Sequence, residues 1–231
     1  LVECNGFEHG IAFKMHSDVM QLVSVNVGPP KWVQFDGRKF LTGICKAPVS
    51  GTVSVNLTQV QGDGQADLEA HGGVDKAVYL YAVEHYDFWR KELDEEIEAL
   101  GSFGENFTAR GMLENKICIG DTFKIGTAIV QVTQPRTPCY KLAARFMRKD
   151  LPARFLQSLK SGFYLRVLQA GQVTAEDRFI LCDQDPNPVT VCEVSRIYHF
   201  QRDDQIAVEN ILKNRALSAE WRAVLQKQLN L

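Results

Sequence analysis

No stretch of this 231-residue chain approaches the roughly 20 apolar residues of a membrane-spanning helix. Its first residues also lack the basic-then-apolar order of a secretory signal, so a cytoplasmic location is expected. Charge of one sign is missing as well. Lys and Arg number 26 against 28 Asp and Glu, a formal net charge of -2. No global positive field exists to draw nucleic acid or an anionic membrane, neither is expected as a partner, and any anion site must be local. The six cysteines form no Cys-x-x-Cys pair and have no histidine at zinc-finger spacing, which argues against structural zinc and iron–sulfur clusters. A disulfide framework is not expected in a chain of this length without an export signal. No Gly-x-Gly-x-x-Gly run opens a β-α-β unit, so the chain has no evident means of drawing on NADH by itself. Internal repeats and low-complexity tracts are absent too. What remains is 45% hydrophobic and 23% charged, the composition of a folded globular protein.

Residues 1–19 show neither the period of a strand nor that of a helix, and the chain begins with Leu; they read as a leader, processed, expression-derived or loosely attached. From Met20 onward short runs dominate: QLVSVNV, KWVQF, GTVSVNL, AVYLYAV, KICIG, DTFKIG and AIVQVTQ, bounded by Gly, Pro, Asp or Asn. So many short strands at close spacing predict a mainly β barrel or sandwich over residues 20–185. One helix is predicted over about residues 84–100, where Tyr86, Trp89, Leu93, Ile97 and Leu100 fall three or four apart before Gly101. A second runs from Asp150 as N-cap through Phe155 to Gly162. The run FYLRVLQAGQVTAEDRFIL then looks like a hairpin that closes the sheet. After the linker DQDPNP the pattern changes. Thr190 with Glu193, Asp203 or Asp204, and Ser218 are positioned to cap three short helices, a C-terminal unit over residues 186–231.

Two clusters could carry chemistry. In GDGQADLEAHGGVDKAV, residues 62–78, paired glycines let a ligand approach the backbone, His71 could donate a hydrogen bond or bind metal, and Asp75 and Lys76 could pair or face an anion. A Gly-rich turn capped by a histidine is the plainer alternative. In QPRTPCYKL, residues 134–142, Pro135 and Pro138 end the ladder and hold Arg136, Thr137 and Cys139 in a rigid loop. Arg136 and Lys141 lie within three residues of Cys139, and nearby cations favour a thiolate. Cys139 is thus the best reactive cysteine, with an inert thiol packed under the loop as the even alternative. Asn106, in FGEN, and Lys46, just before a strand, could join these clusters at a ligand or could simply make a turn and face solvent.

Taken in order, KAPVSG, GDGQADLEAHGGVDKAVYLYAVEHY, FGENF, IGDTFKIGTAIVQVTQPRTPCYKL and GFYLRVLQAGQV resemble the MOSC-domain family, in its YiiM-like branch, over about residues 20–182. The resemblance implies a strand-rich, barrel-like domain that binds molybdenum cofactor, followed by a small three-helix C-terminal domain. It makes Cys139 the expected molybdenum ligand. Lys46, His71, Lys76, Asn106, Arg136, Thr137 and Lys141 become candidates for holding the anionic pterin phosphate. It also implies reduction of N-hydroxylated compounds such as hydroxylaminopurines or amidoximes. His71 would be the proton donor, Asp75 would orient a neighbour, and a separate flavin or iron–sulfur protein would supply electrons. Two alternatives stay open: a carrier of the cofactor or its sulfur without turnover, and a metal-free hydrolase with Cys139 as nucleophile and His71 as base.

Overall fold

The computed structural model describes residues 19–66, 72–97 and 99–229; His71 and most of the leader lie outside the described residues. The described strands are β1 (Gln21–Val27), β2 (Lys31–Phe35), β3 (Arg38–Thr42), β4 (Ala47–Val49), β5 (Val53–Val55), β6 (Val78–Ala82), β7 (Phe107–Arg110), β8 (Thr122–Ile125), β9 (Ala128–Pro135), β10 (Phe163–Gln169), β11 (Gly171–Val173) and β12 (Ile180–Asp183). The described helices are α1 (Glu84–Leu93), α2 (Tyr140–Arg145), α3 (Leu151–Ser158), α4 (Val191–Phe200), α5 (Gln205–Lys213) and α6 (Ala219–Leu229), with a 3-10 turn at Val74–Lys76. Eight strands form one sheet in the order β12-β8-β9-β10-β6-β7-β1-β4. It curls: the Leu22 N–H donates to the Asp177 carbonyl at 2.8 Å and the Phe179 N–H to the Met20 carbonyl at 2.9 Å. The first strand thereby meets the segment leading into β12. All pairings within the sheet are antiparallel except β6 with β7, whose parallel register is reached by the crossover through α1.

The run VYLYA explains how the sheet carries two cores. Side chains alternate across a strand, so Val78 and Leu80 face one side while Tyr79 and Tyr81 face the other. The first pair joins an aliphatic cluster with Leu22, Phe107, Val130, Val132 and Leu165. The second joins an aromatic cluster with Tyr86, Trp89, Phe103, Leu142 and Phe155. Tyr81 stacks on Phe155 at 5.7 Å and accepts a 2.6 Å hydrogen bond from the Trp89 indole, so its hydroxyl is satisfied inside the core. Each fully buried side chain of this size contributes about 1.5–3 kcal/mol.

Three expectations are corrected here. The first helix stops at Leu93, not Leu100: Asp94 takes the left-handed conformation with φ 52°, and its N–H bonds the Arg90 carbonyl. Arg90 also donates to the Ile97 carbonyl at 2.9 Å, so Ile97 enters the aromatic core from a loop. The run KICIG is not a strand. Cys118 makes one isolated bridge to Thr190, and its N–H donates to the Asp121 carboxylate at 2.8 Å. The expected hairpin FYLRVLQAGQVTAEDRFIL divides among four partner strands, β10 pairing β9 and β6, β11 pairing β5, and β12 pairing β8. The close approach of Gly171 to the Thr127–Ala128 backbone, where a Cβ would sit 2.4 Å from the Ala128 nitrogen, carries the chain across to β5.

The three C-terminal helices start at their sequence caps. Thr190 and Glu193 form a complete capping box, Asp204 accepts from the Ala207 N–H, and the Ser218 hydroxyl accepts from the Trp221 N–H. Val194, Ile197, Val208, Ile211, Trp221 and Leu225 join the same buried cluster as the sheet. The helical tail closes the aliphatic face, which leaves the opposite, aromatic side to carry the cleft.

Candidate functional site

A cleft of about 640 Å³, counted out to its mouth, opens beside the aromatic cluster. Tyr79 and Tyr164, cross-strand neighbours on β6 and β10, line it from the sheet. Its other walls bring Lys46, Lys76, Asn106, Arg136, Thr137, Cys139 and Lys141 together from four separate segments. One wall depends on glycines. A Cβ on Gly43 would stand 2.3 Å from the Gly64 carbonyl oxygen, and one on Gly64 would stand 2.4 Å from Pro30 Cδ, so the two segments cross only because neither residue has a side chain.

Pro135 ends β9, and the chain turns away through Arg136, whose N–H donates to the Gly162 carbonyl at 3.1 Å. The Arg136 side chain lies among rings, 4.9 Å from the centre of Tyr79 and 5.3 Å from that of Phe155. It is 7% exposed, and its Nη1 has no hydrogen-bond partner. Burial opposes its charge, while Tyr79, Tyr164 and Cys139 favour it; the net effect keeps the guanidinium above its ordinary pKa. The same burial pushes the phenols of Tyr79 and Tyr164 up, against the pull of Arg136, so both remain protonated. Cys139, half-buried, stands in extended conformation at the N-cap position of α2, and its carbonyl accepts from the Leu142 N–H at 2.9 Å. Lys141, one residue into α2, is buried.

Lys46 pairs with Asp63, and burial draws its ammonium below the ordinary lysine value despite the pull of Asp63 and Glu105. Asp63 is a residue that the sequence reading passed over. It accepts from the Gly28 N–H at 3.2 Å and from Asn106 Nδ2 at 2.8 Å, and so fixes Lys46 on the wall. Asn106 spends its amide on structure: its Oδ1 accepts from the Tyr79 N–H at 3.1 Å. The Gly104 N–H closes a turn on the Gly101 carbonyl at 3.0 Å, the turn-making role of that loop. Glu105 beside it is fully buried and accepts from Tyr86, Thr108 and the backbone of Gly101 and Phe103. Desolvation raises its pKa against those bonds.

Asp75 does not line the cleft. Its Oδ1 accepts two bonds from Arg166, at 2.7 and 3.0 Å, and its Oδ2 accepts from the Ala219 N–H at 3.3 Å. The 3-10 turn sets Lys76 along the cleft and Asp75 outside it, while both residues also reach the helical tail. His71 lies outside the described residues. Tyr79 and Tyr164 were also missed as lining residues; their alternation with aliphatic neighbours in VYLYA and FYLRV is the signal that could have placed both on the aromatic side. Among the described residues no three His, Cys, Asp or Glu side chains cluster to hold a metal ion by themselves.

Lysines on the walls and a buried guanidinium with one nitrogen lacking a partner are groups that can pair with an anion, and the half-buried thiol is one that can bind a soft metal. Comparison with known proteins places this chain in a family. The MOSC domain model matches residues 67–179, which include the 3-10 turn, β6 through β10 and the Cys139 loop. The chain belongs to the MOSC-domain family, in its YiiM-like branch. It is 40% identical over 214 residues to the uncharacterized protein YflK of Bacillus subtilis, covering 93% of this chain and 96% of that one. It is 34% identical over 190 residues to protein YiiM of Escherichia coli, covering 81% and 84%. A protein named reductase, from Gibberella moniliformis, is 32% identical over 164 residues, which is 29% of its length. The crystal structure of YiiM from Geobacillus stearothermophilus superposes with a TM-score of 0.78 at 38% identity, over 91% of this chain and 99% of that one. The strand-rich, barrel-like fold is shared. No described helix is long and apolar enough to cross a membrane.

Proposed function

We propose that the cleft binds molybdenum cofactor and that the protein reduces N-hydroxylated compounds there. The observation that carries this reading is the buried Arg136 guanidinium, charged, unpartnered at Nη1 and in the same cleft as the Cys139 thiol. A fold keeps such a cation where a ligand completes its bonding. The donor set fits the cofactor: Arg136 and Lys141 flank the thiol in sequence, Lys46 and Lys76 supply further positive charge, and the thiol is a soft ligand for the metal. Arg136, Lys46, Lys76 and Lys141 hold the phosphate, Cys139 ligates, and Thr137 and Asn106 shape the wall between them. When bound, the cofactor supplies the two-electron chemistry that removes an N–OH oxygen as water. Tyr164, protonated and beside Arg136, is a group able to hold a proton in the cleft; His71, the proton donor that the resemblance implies, lies outside the described residues.

The electrons come from a separate flavin or iron–sulfur protein. The β6-α1-β7 crossover turns through Ala82, Val83 and Glu84 without a glycine, so it offers no dinucleotide grip. The test is expression in a host that makes the cofactor, followed by molybdenum and pterin quantitation and an assay on a hydroxylamino base. Dithionite or a reduced viologen should drive turnover, and NADH alone should not. Protein that is free of molybdenum and pterin under these conditions, or that turns over with NADH alone, would refute the reading.

A further inference from the structure

Lys76 is 7% exposed and lines the cleft, yet its ammonium is paired with Glu220, a 57% exposed carboxylate from the first turn of α6. Glu220 is held at that spot by three tethers on the residues just before it. Asp75 accepts the Ala219 N–H, Arg166 donates to the Ala216 carbonyl at 3.2 Å while paired with Asp75, and the Ser218 N–H donates to the Thr133 carbonyl at 3.2 Å. Thr133 in turn donates to the Asp75 carbonyl at 2.7 Å. The helical tail is therefore pinned to the back of the same 3-10 turn whose front carries the cleft lysine, and the pinning delivers one carboxylate to a cation that faces the ligand.

We propose that Glu220 is a resident counter-anion of the cleft, a positioning residue supplied by the C-terminal helices that sets how much free positive charge Lys76 presents to a phosphate-bearing ligand. This rests on the anionic-ligand reading of the cleft. A carboxylate and a phosphate oxygen compete for the same ammonium. With Glu220 present, Lys76 is oriented and partly neutralised; a ligand must carry enough negative charge to share or take it. The tail thereby restrains the cleft's pull on multiply charged phosphates more than its pull on weaker anions.

The experiment measures binding of inorganic pyrophosphate and inorganic phosphate to the purified full chain by calorimetry, at low and at high ionic strength. Glu220→Gln keeps the shape and removes the charge. It should bind pyrophosphate roughly two- to tenfold more tightly at low salt, the scale of a partly exposed ion pair. The gain should shrink at high salt and vanish in a Lys76→Met background. The pyrophosphate-over-phosphate preference should rise in Glu220→Gln, because the relieved repulsion scales with the charge of the ligand. Unchanged or weaker pyrophosphate binding in Glu220→Gln, or an equal gain in the Lys76→Met background, would overturn the proposal while leaving the anion cleft standing. Binding of neither anion by any of the variants would overturn the anion cleft itself, and this proposal with it.

Discussion

Arg136→Met separates a binding residue from a structural one, because the two roles predict opposite signs for stability. Among the described residues the guanidinium is paired with no carboxylate; it is buried, and its Nη1 is unsatisfied. An unsatisfied buried donor costs about 1–3 kcal/mol, and an effectively desolvated ion costs several more. Against this stand the ring contacts with Tyr79 and Phe155, worth about 2 kcal/mol when desolvated. Methionine fills similar space and keeps contact with both rings. The Arg136 N–H to Gly162 bond is main-chain and survives the change. The balance predicts a variant more stable by about 2 kcal/mol or more, a Tm rise of roughly 4–8 °C for a chain of this size. Bonds to a charged group are worth about 1.5–3 kcal/mol, so pyrophosphate affinity and molybdenum content should fall roughly tenfold to hundredfold. Urea unfolding followed by tryptophan fluorescence gives the first quantity and calorimetry gives the second. A variant destabilised by more than about 2 kcal/mol with undiminished affinity would show that Arg136 is a strut of the aromatic core and not a receptor.

Cys139→Ser should lose molybdenum while melting within a few degrees of the parent; Cys118→Ser, in the bridge to Thr190, should keep it, and metal analysis of both proteins decides. Burial and Asp121 push the Cys118 thiol up to about 11, so iodoacetamide at pH 8 should leave Cys118 nearly unmodified in mass spectra of digests. His199, in the last turn of α4 against Tyr198 and Trp221, is held down at about 4 by burial and Arg202. Its folded pKa lies below the unfolded 6.5, so its contribution is complete above that value and is lost as pH falls toward 4. The full shift would be about 3.4 kcal/mol; solvent screening of a half-exposed ring reduces the expected loss to about 1–2 kcal/mol, and His199→Gln should flatten urea midpoints measured between pH 7.5 and 4.

The strands at β1, β2, β6, β8 and β9 were legible because each is a short apolar or alternating run whose period is local. Partners were not. β10, β11 and β12 look like one hairpin because their turn residues are adjacent, yet each pairs elsewhere at a register set by contacts far along the chain. The site divides in the same way. Lys46, Arg136, Thr137, Cys139 and Lys141 stand in Pro- or Gly-bounded loops where sequence marks a site, and the cleft contains them all. Asp75 misled because it neighbours Lys76, and a 3-10 turn points successive side chains in different directions. Asp63 and Glu105 escaped notice because their importance is the number of donors that converge on them, and spacing carries no record of convergence.

Side-chain alternation places the cleft, and with it the proposed anion site, on the aromatic side of the sheet. The aliphatic side is covered by the helical tail, whose apolar residues merge with the barrel core. A cation buried among aliphatic groups would be driven to neutrality or expelled; one buried among rings keeps its charge, because ring faces attract it without offering a competing carboxylate. Tyr79, Tyr164 and Phe155 thus supply what a lysine- or carboxylate-lined wall would not: a charged Arg136 with one nitrogen left without a partner. The tail reaches the same site from behind through Asp75 and Lys76, on either side of a single turn. Two cores on opposite faces of β6 and one turn between tail and cleft are therefore enough to link folding of the C-terminal helices to the charge of the binding site.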